Sequence, residues 1–423
     1  MFNAEEYGRK VIGPIIYEYI TWLLNHVKRR KVYTIFFLAR DGYLLKEAAE
    51  IICRKQNYHI QCKYLYCSRM ALRMPTYWFI GEEAFELLFQ GGYHITPYAL
   101  MCRLNLNLEE RKQVYADVGV VNENNDLTTE EYQLLIERLK KSEIYNKLMC
   151  SKSLSAYDDT ISYFKQEGLF DYNEIVIVDS GWSGSMQRSM RQLLEHEGFK
   201  GKISGFYFGL YNEPKEQADG TYVSYYFNAF SKMKYKVYFD NTLFECMLAA
   251  PHGMTIGYFY DKTEYKPILK SDLNAELLDF LEAQKRGVLK YIEGAGDHKF
   301  ILKQSVRKCY KILKRATLYP TKEETDAYCS FKFCDDVSEA FSATLVQKDK
   351  ILLLQNYMII PKIIAKIKNK KDVPVKDIFW PFGMINYVGY PLRVWYRWNI
   401  ILLQYFRHLR TAIQERKRVS SYE

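Results

Sequence analysis

The apolar positions of this chain change period several times, and each change predicts a different element. After Gly13-Pro14, residues Ile15, Ile16, Tyr19, Ile20, Leu23, Leu24 and Val27 recur three and four apart, the spacing of one helix face. That helix is expected to end in the basic run Lys28 to Lys31, where cations suit the negative end of the helix dipole. The period then gives way to an unbroken β-branched and aromatic run, Val32 to Leu38. It predicts a buried strand that delivers Ala39-Arg40-Asp41-Gly42 into a turn. A helix is expected over Tyr43 to Ile52. A second strand, Cys62 to Cys67, delivers Ser68-Arg69, with Arg73 and Pro75 close behind.

From about Phe79 to Lys165 the spacing is mainly helical, clearest over Leu106 to Tyr115 and Thr128 to Met149. Thr128-Thr129-Glu130-Glu131 is a capping signal for the second of these helices. This stretch reads as a helical insertion, either shaping an acceptor or serving as plain scaffold. The strand pattern returns at Ile175 to Val178, followed by Asp179, the small-residue run Ser180 to Ser185, and a helix carrying Met186, Met190, Leu193 and Leu194. Lys202 to Leu210 is another strand; Thr221 to Phe230 and Thr255 to Tyr260 read as further strands towards a sheet edge. Between them, Glu245 sits in an apolar helix that Pro251-His252-Gly253 breaks, and the chain is expected to be helical from about Asp272 onward.

Strands alternating with helices predict an α/β fold: an open, mostly parallel sheet with crossover helices, a helical insertion and a helical C-terminal region. The expected division is residues 1–265 as the α/β unit, with the insertion at about 79–165, and residues 266–423 as the helical region.

Composition narrows the partners. At 423 residues and 48% apolar content a sizeable core can be buried, and the net charge of +10 favours anions. No standard nucleic-acid signature occurs, so phosphorylated substrates or acidic lipid are the expected partners and nucleic acid is not. The nine cysteines show neither a CxxC pair nor Cys/His ligand spacing, which suits reduced thiols in a cytoplasmic protein. The opening MFNAEEYGRK lacks a signal-peptide core, and no uninterrupted apolar run reaches about 18 residues. From Tyr357 to Arg418, Lys and Arg interleave with Trp380, Tyr387, Tyr390, Trp395, Tyr396, Trp398 and Tyr405. Such a segment fits either an interfacial position at the inner face of the cytoplasmic membrane or an amphipathic helix docked on the protein's own core.

The candidate chemistry gathers at strand ends. Arg40-Asp41, Ser68-Arg69 and Asp179 each follow a predicted strand, and the C-terminal edge of a parallel sheet is where ligands bind. The loop Ser180-Gly181-Trp182-Ser183-Gly184-Ser185 offers backbone N–H groups and a helix start to a phosphate, though an empty tight turn explains it equally well. Arginines give fixed-charge, bidentate donors to phosphate oxygens, and Asp179 suits Mg²⁺ or ribose hydroxyls. Plainer readings remain open. Arg40 and Asp41 can pair with each other, and Arg69 and Arg73 can sit in surface ion pairs. Asp179 can be the cap of the next helix, Glu245 a buried partner for an arginine, and His252 a satisfied loop histidine. No GxxxxGK[ST] or GxSxG motif is present, and Ser183 and Ser185 have no adjacent His/Asp set.

Together, FLARDGYLL, YLYCSRMALRMP, IVIVDSGWSGSMQ and FYFGL, followed by a Glu before APHG, resemble the glycan phosphoribosyltransferase domain of bacterial ribofuranosyltransferases. The resemblance spans roughly Tyr7 to Tyr260. It implies transfer of 5-phosphoribosyl from phosphoribosyl pyrophosphate to a glycan hydroxyl, on a lipid-linked acceptor of surface polysaccharide biosynthesis, with Mg²⁺. Members of this family often carry an N-terminal haloacid-dehalogenase-type phosphatase. Here the chain begins where the transferase would, so a separate phosphatase is the expected partner. The implied donor site is Arg40, Ser68, Arg69, Arg73 and the run Ser180, Gly181, Trp182, Ser183, Gly184, Ser185. Asp179 is implied on metal or ribose, and Asp41 or Glu245 as the group that takes the acceptor proton. One departure is plain: the ordinary phosphoribosyltransferase signature has two adjacent acids, and here Ser180 follows Asp179. A transferase using a sugar nucleotide, and a non-catalytic adaptor that binds a phosphosugar, are the alternatives.

Overall fold

Five apolar runs lie side by side in one wholly parallel sheet, in the order β2-β1-β3-β4-β5. They are β1 (Thr34–Leu38), β2 (Gln61–Leu65), β3 (Glu174–Trp182), β4 (Lys202–Leu210) and β5 (Gly220–Phe227). The computed structural model describes residues 2–91, 95–212, 220–270, 273–296, 300–334, 336–347 and 378–420. The fold is therefore the expected α/β arrangement, with β3 at its centre.

Period-two alternation explains why these strands read as continuous apolar runs. Ile35, Phe37, Val176, Val178, Phe206 and Phe208 face one core, while Phe36, Leu38, Ile175, Ile177 and Ile203 face the other. Both faces of the sheet are covered, so no position on the inner strands can be polar without a partner. The helices Gly13–Arg30, Gly42–Lys55 and Asn241–Leu248 supply the first core; Glu143–Glu167 and Ser185–His196 supply the second. The insertion builds a third apolar cluster around Leu100, Met101, Val114, Leu135 and Tyr145, and it closes on Met70 and Met74 beside the sheet.

Several expectations change in detail. Thr255–Tyr260 is not an edge strand of the main sheet: it pairs antiparallel with Tyr265–Leu269 in a separate hairpin. The helix expected over Thr128 to Met149 breaks at Ser142, whose backbone turns extended and whose hydroxyl caps the next helix, Glu143–Glu167, at the Tyr145 N–H (3.0 Å). Beyond Asp272 the helices Ala275–Gly294, Leu302–Leu318 and Lys322–Tyr328 are followed by a short antiparallel pair, Lys332–Phe333 with Ala343–Thr344. Val288, Ile292, Leu313 and Trp380 lie in the same core as Ile15 and Phe37, so apolar packing runs across residue 265. Part of the basic and aromatic segment, 357–377, lies outside the described residues; its remainder forms the short helical turns Pro381–Met384 and Ile385–Tyr387 and then the helix Leu392–Ser420. Among the described residues no helix is long and apolar enough to cross a membrane.

Candidate functional site

In the order 2-1-3-4-5 the chain leaves β1 towards one side of the sheet and β3 towards the other. That divergence opens a crevice beyond the carboxyl ends of β1 and β3, where open α/β sheets bind ligands. The first chain turn out of β1 carries Arg40 and Asp41; β3 carries Asp179. The hydroxyl of Tyr19, reaching up from the Gly13–Arg30 helix, lies 3.1 Å from the Asp179 carbonyl and 2.9 Å from that of Phe206. It ties β3 to β4 directly beneath the site.

The expected phosphate loop is shorter than its sequence suggests. β3 continues past Asp179, with Gly181 paired to Gly209 and Trp182 to Leu210, so only Ser183 and Gly184 make the turn. Gly181 has φ of 129°, and a Cβ there would stand 1.9 Å from the Gly209 carbonyl oxygen, so only glycine fits this crossing of β3 and β4. Gly184, at φ 67°, is the residue that precedes the helix Ser185–His196; Asp179 is not its cap.

A cavity of about 160 Å³ occupies the crevice. Arg40, Asp41, Ser68, Arg69, Asp179, Ser180, Gly181, Trp182, Ser183, Ser185 and Glu245 all line it. Two expected members do not. Gly184 turns away beneath the Tyr222 ring. Arg73 is buried behind the cavity at 5% exposure, so it is also not in a surface ion pair; burial, with Arg69 and Arg188 nearby, pulls its pKa down to about 10. Beside this cavity lies a second of about 480 Å³. The two share Arg40, Asp41, Glu245, Met254, Phe333 and Glu339 as a common wall. His252, Lys270 and Asn274 add polar groups to the larger cavity, and Leu273, Leu277 and Leu281 add an apolar side.

The smaller cavity is electrostatically tense. Burial, and then the charges of Asp41 and Glu245, push the Asp179 carboxyl well above the usual carboxylate range; N–H groups of Ser180 and Gly181 only partly offset this. Glu245 is pushed up to about 7 by burial and then by Asp41, although Trp182 Nε1–H donates to it at 2.6 Å. Asp41 is raised by burial as well, against the Ser180 hydroxyl that donates to it and the nearby Arg40 charge. The Asp41 charge thus disfavours ionisation of both Asp179 and Glu245, and a bound cation would relieve that repulsion.

The plainer sequence readings fare unevenly. Arg40 takes Glu339 as its carboxylate partner at 2.8 Å, not its neighbour Asp41. Glu245 bonds Trp182 and not an arginine. His252 is satisfied on both ring nitrogens, by the Tyr64 hydroxyl at 2.7 Å and the Gly253 carbonyl at 2.8 Å, as a loop histidine would be.

Glu339 and its surroundings were not legible in the sequence. Residues Phe331 to Cys334 and Asp336 to Val346 strap across the crevice, anchored by the buried ion pair of Asp336 with Arg103 (2.5 Å) and by Lys270 on the Ser338 and Glu339 carbonyls. Nothing in its composition marks it as part of a site. It lies 299 residues from Arg40 in sequence.

Among the described residues no group of three His, Cys, Asp or Glu side chains stands ready as a metal cage. Mg²⁺ does not require one, since it takes one or two carboxylates and fills its octahedron with phosphates and water. Asp41 and Asp179, both raised by burial and the second also by the charge of the first, form a donor set that a hard divalent ion would relieve, so the residues present fit such an ion. No protein-family model matches this chain, and no curated protein matches it.

Proposed function

We propose that this chain is a glycosyltransferase that moves 5-phosphoribosyl from phosphoribosyl pyrophosphate to a glycan hydroxyl. The observation that carries the reading is the shared wall: arginine and three carboxyls divide a small polar cavity at the sheet switch point from a larger, half-apolar one. Two substrates that must meet at one bond need two adjoining compartments with the reacting groups between them.

In this reading the donor enters the smaller cavity. Arg40 and Arg69 face its pyrophosphate, while Ser183, Ser185 and the start of the helix Ser185–His196 hold the 5-phosphate. Asp179 would meet the ribose and, with Asp41, would hold Mg²⁺. The bound ion would neutralise charge on the departing pyrophosphate. The acceptor sugar comes from the larger cavity. Its hydroxyl oxygen bonds to the anomeric carbon as the bond from that carbon to the pyrophosphate oxygen breaks, and pyrophosphate leaves with the electron pair. Glu245, poised near neutrality, takes the hydroxyl proton, with Asp41 as the other acid in reach of that role. The product keeps its 5-phosphate and is a substrate for a phosphatase.

About 160 Å³ is less than the roughly 300 Å³ at which small-molecule pockets begin, so a phosphoribosyl donor has to displace Glu339 from Arg40 as it binds. The strap would then release one anion as another arrives.

The test is direct. Purified protein, Mg²⁺, labelled phosphoribosyl pyrophosphate and lipid-linked glycan acceptors should yield a product heavier by one pentose phosphate. Asp179→Asn and Arg40→Ala proteins should stay folded and lose transfer; full activity in either would sink the assignment. A product formed only from sugar nucleotides would move the donor class, and tight donor binding with no turnover on any acceptor would make the chain an adaptor.

A further inference from the structure

The C-terminal helix, Leu392–Ser420, presents the protein's most unusual surface. Its buried positions include Tyr396, Ile400 and Ala412, which face the body of the protein. Its exposed positions are not all polar. Leu392, Trp395, Trp398, Leu402, Tyr405, Phe406 and Ile413 follow one another mostly at three- and four-residue steps, so they form a single outward stripe. Trp395 is 50% exposed, Trp398 66% and Phe406 55%. From Trp395 to Ile413 the stripe runs about 27 Å at about 1.5 Å per residue.

A helix that packs one apolar face inward and turns a second one outward needs an occupant for the second. Charge selects it. The helix carries Arg393, Arg397, Arg407, Arg410, Arg416, Lys417 and Arg418 against a single acid, Glu415. Arg407, Arg410, Arg416 and Lys417 are exposed. Trp and Tyr prefer the boundary between head groups and acyl chains, and guanidinium groups pair with phosphate. A second protein helix would be better matched by aliphatic seam residues, whereas four of the seven here, Trp395, Trp398, Tyr405 and Phe406, are aromatic.

We propose that this outward face is a docking surface for an anionic phospholipid bilayer, on which the helix lies parallel to the membrane plane. The surface is not remote from the crevice. His408, on the inner side of the same helix, stacks on Tyr211 at 5.4 Å, and Tyr211 meets the ring of Trp182 at 5.9 Å. Membrane docking would thus place the cavities close to the bilayer, where a lipid-linked substrate presents its head group. The docking proposal itself stands whether or not the transfer reaction does.

The experiment is co-sedimentation of the full-length protein with vesicles of phosphatidylcholine, with and without phosphatidylglycerol. The protein should pellet with anionic vesicles and should bind at least about tenfold more weakly in high salt or to neutral vesicles. A Trp395→Ser/Trp398→Ser protein and, separately, an Arg407→Gln/Arg410→Gln protein should each lose about tenfold or more in vesicle affinity. Both should keep the circular dichroism and melting transition of the parent. Anionic-vesicle binding unchanged in the double-Trp protein overturns the proposal. So does absence of vesicle binding by a protein that forms a dimer dispersed by the same Trp changes, which would assign the face to a second copy. A monomer that binds no vesicles also overturns it, because the stripe is then covered within the chain itself.

Discussion

Replacing Glu245 with glutamine removes one ionisable group from the shared wall while preserving its shape and an acceptor for Trp182 Nε1–H. The carboxyl is moved from 4.5 to about 7, chiefly by burial and then by Asp41. At about 1.4 kcal/mol for each tenfold change in proton affinity, this corresponds to about 3 kcal/mol. The direction is unfavourable. Between about pH 4.5 and about pH 7 the folded protein retains a proton on Glu245 that the unfolded chain has released, so this group's contribution to stability falls as pH rises through that window. Below it both states are protonated and the glutamine protein should match its parent. Above it the glutamine protein should be more stable by up to about 3 kcal/mol. Urea unfolding of both proteins at closely spaced pH values from 4 to 8.5 reads this difference together with the relief of Asp179, which the Glu245 charge also raises and which acts in the same direction. A difference that stays flat, or that grows towards acid, would refute the placement of Glu245 as a half-buried, charge-crowded acid. In the transfer assay the same variant should fall by about 10²–10⁴ if Glu245 takes the acceptor proton, and the parent's rate should rise with pH through about 7. Gain in stability with loss of activity is the signature of a strained functional group.

Three other perturbations probe the neighbouring architecture. Glu339→Gln frees Arg40 from a partly exposed ion pair and should tighten donor binding by about two- to fivefold, read by titration calorimetry with phosphoribosyl pyrophosphate. Arg103→Ala strands the Asp336 carboxylate at 8% side-chain exposure and should cost about 3–5 kcal/mol, with early proteolysis of the Phe331 to Val346 strap as its local readout. Gly181→Ala drives a methyl into the Gly209 carbonyl at a φ that L-residues avoid. It should cost more than about 2 kcal/mol by urea unfolding, whereas Gly198→Ala, also at positive φ but with open space around it, should cost less.

The sheet was legible because its strands are buried on both faces and so appear as unbroken apolar runs. Ile35 to Leu38 and Ile175 to Val178 leave little else for their chain to do. Strand ends were harder to read. Ser180, Gly181 and Trp182 have turn-like composition, yet the backbone pairing of Gly181 with Gly209 keeps them in β3, a tertiary contact that local propensity does not register. Arg73 was misplaced for a related reason: helical spacing puts it near Arg69, but not which of the two faces the crevice. The strap was invisible altogether. Asp336 and Glu339 acquire their meaning from Arg103 and Arg40, and single charged residues in a polar stretch carry no sign of distant partners.

The single acid in the C-terminal half of β3, Asp179, is the point on which the donor assignment turns. A serine follows Asp179 in the chain where the phosphoribosyltransferase signature has a second acid. The Ser180 hydroxyl donates to the Asp41 carboxylate, which arrives from the turn after β1, and the charge of Asp41 is the largest electrostatic influence on Asp179 after burial. The pair of acids is thus assembled across the switch point between two strands and not along one loop, with Ser180 as the link that positions the second. This arrangement supports a ribose- or metal-binding role for the pair and yields its own discriminating experiment. Ser180→Ala should loosen Asp41 and weaken donor and Mg²⁺ binding together, while Ser180→Asp should crowd a fourth carboxyl against Asp41, Asp179 and Glu245. If adjacent acids along the chain were what the chemistry required, the aspartate variant would gain activity. If the spatial pair already fills that role, it should lose both stability above pH 7 and donor affinity.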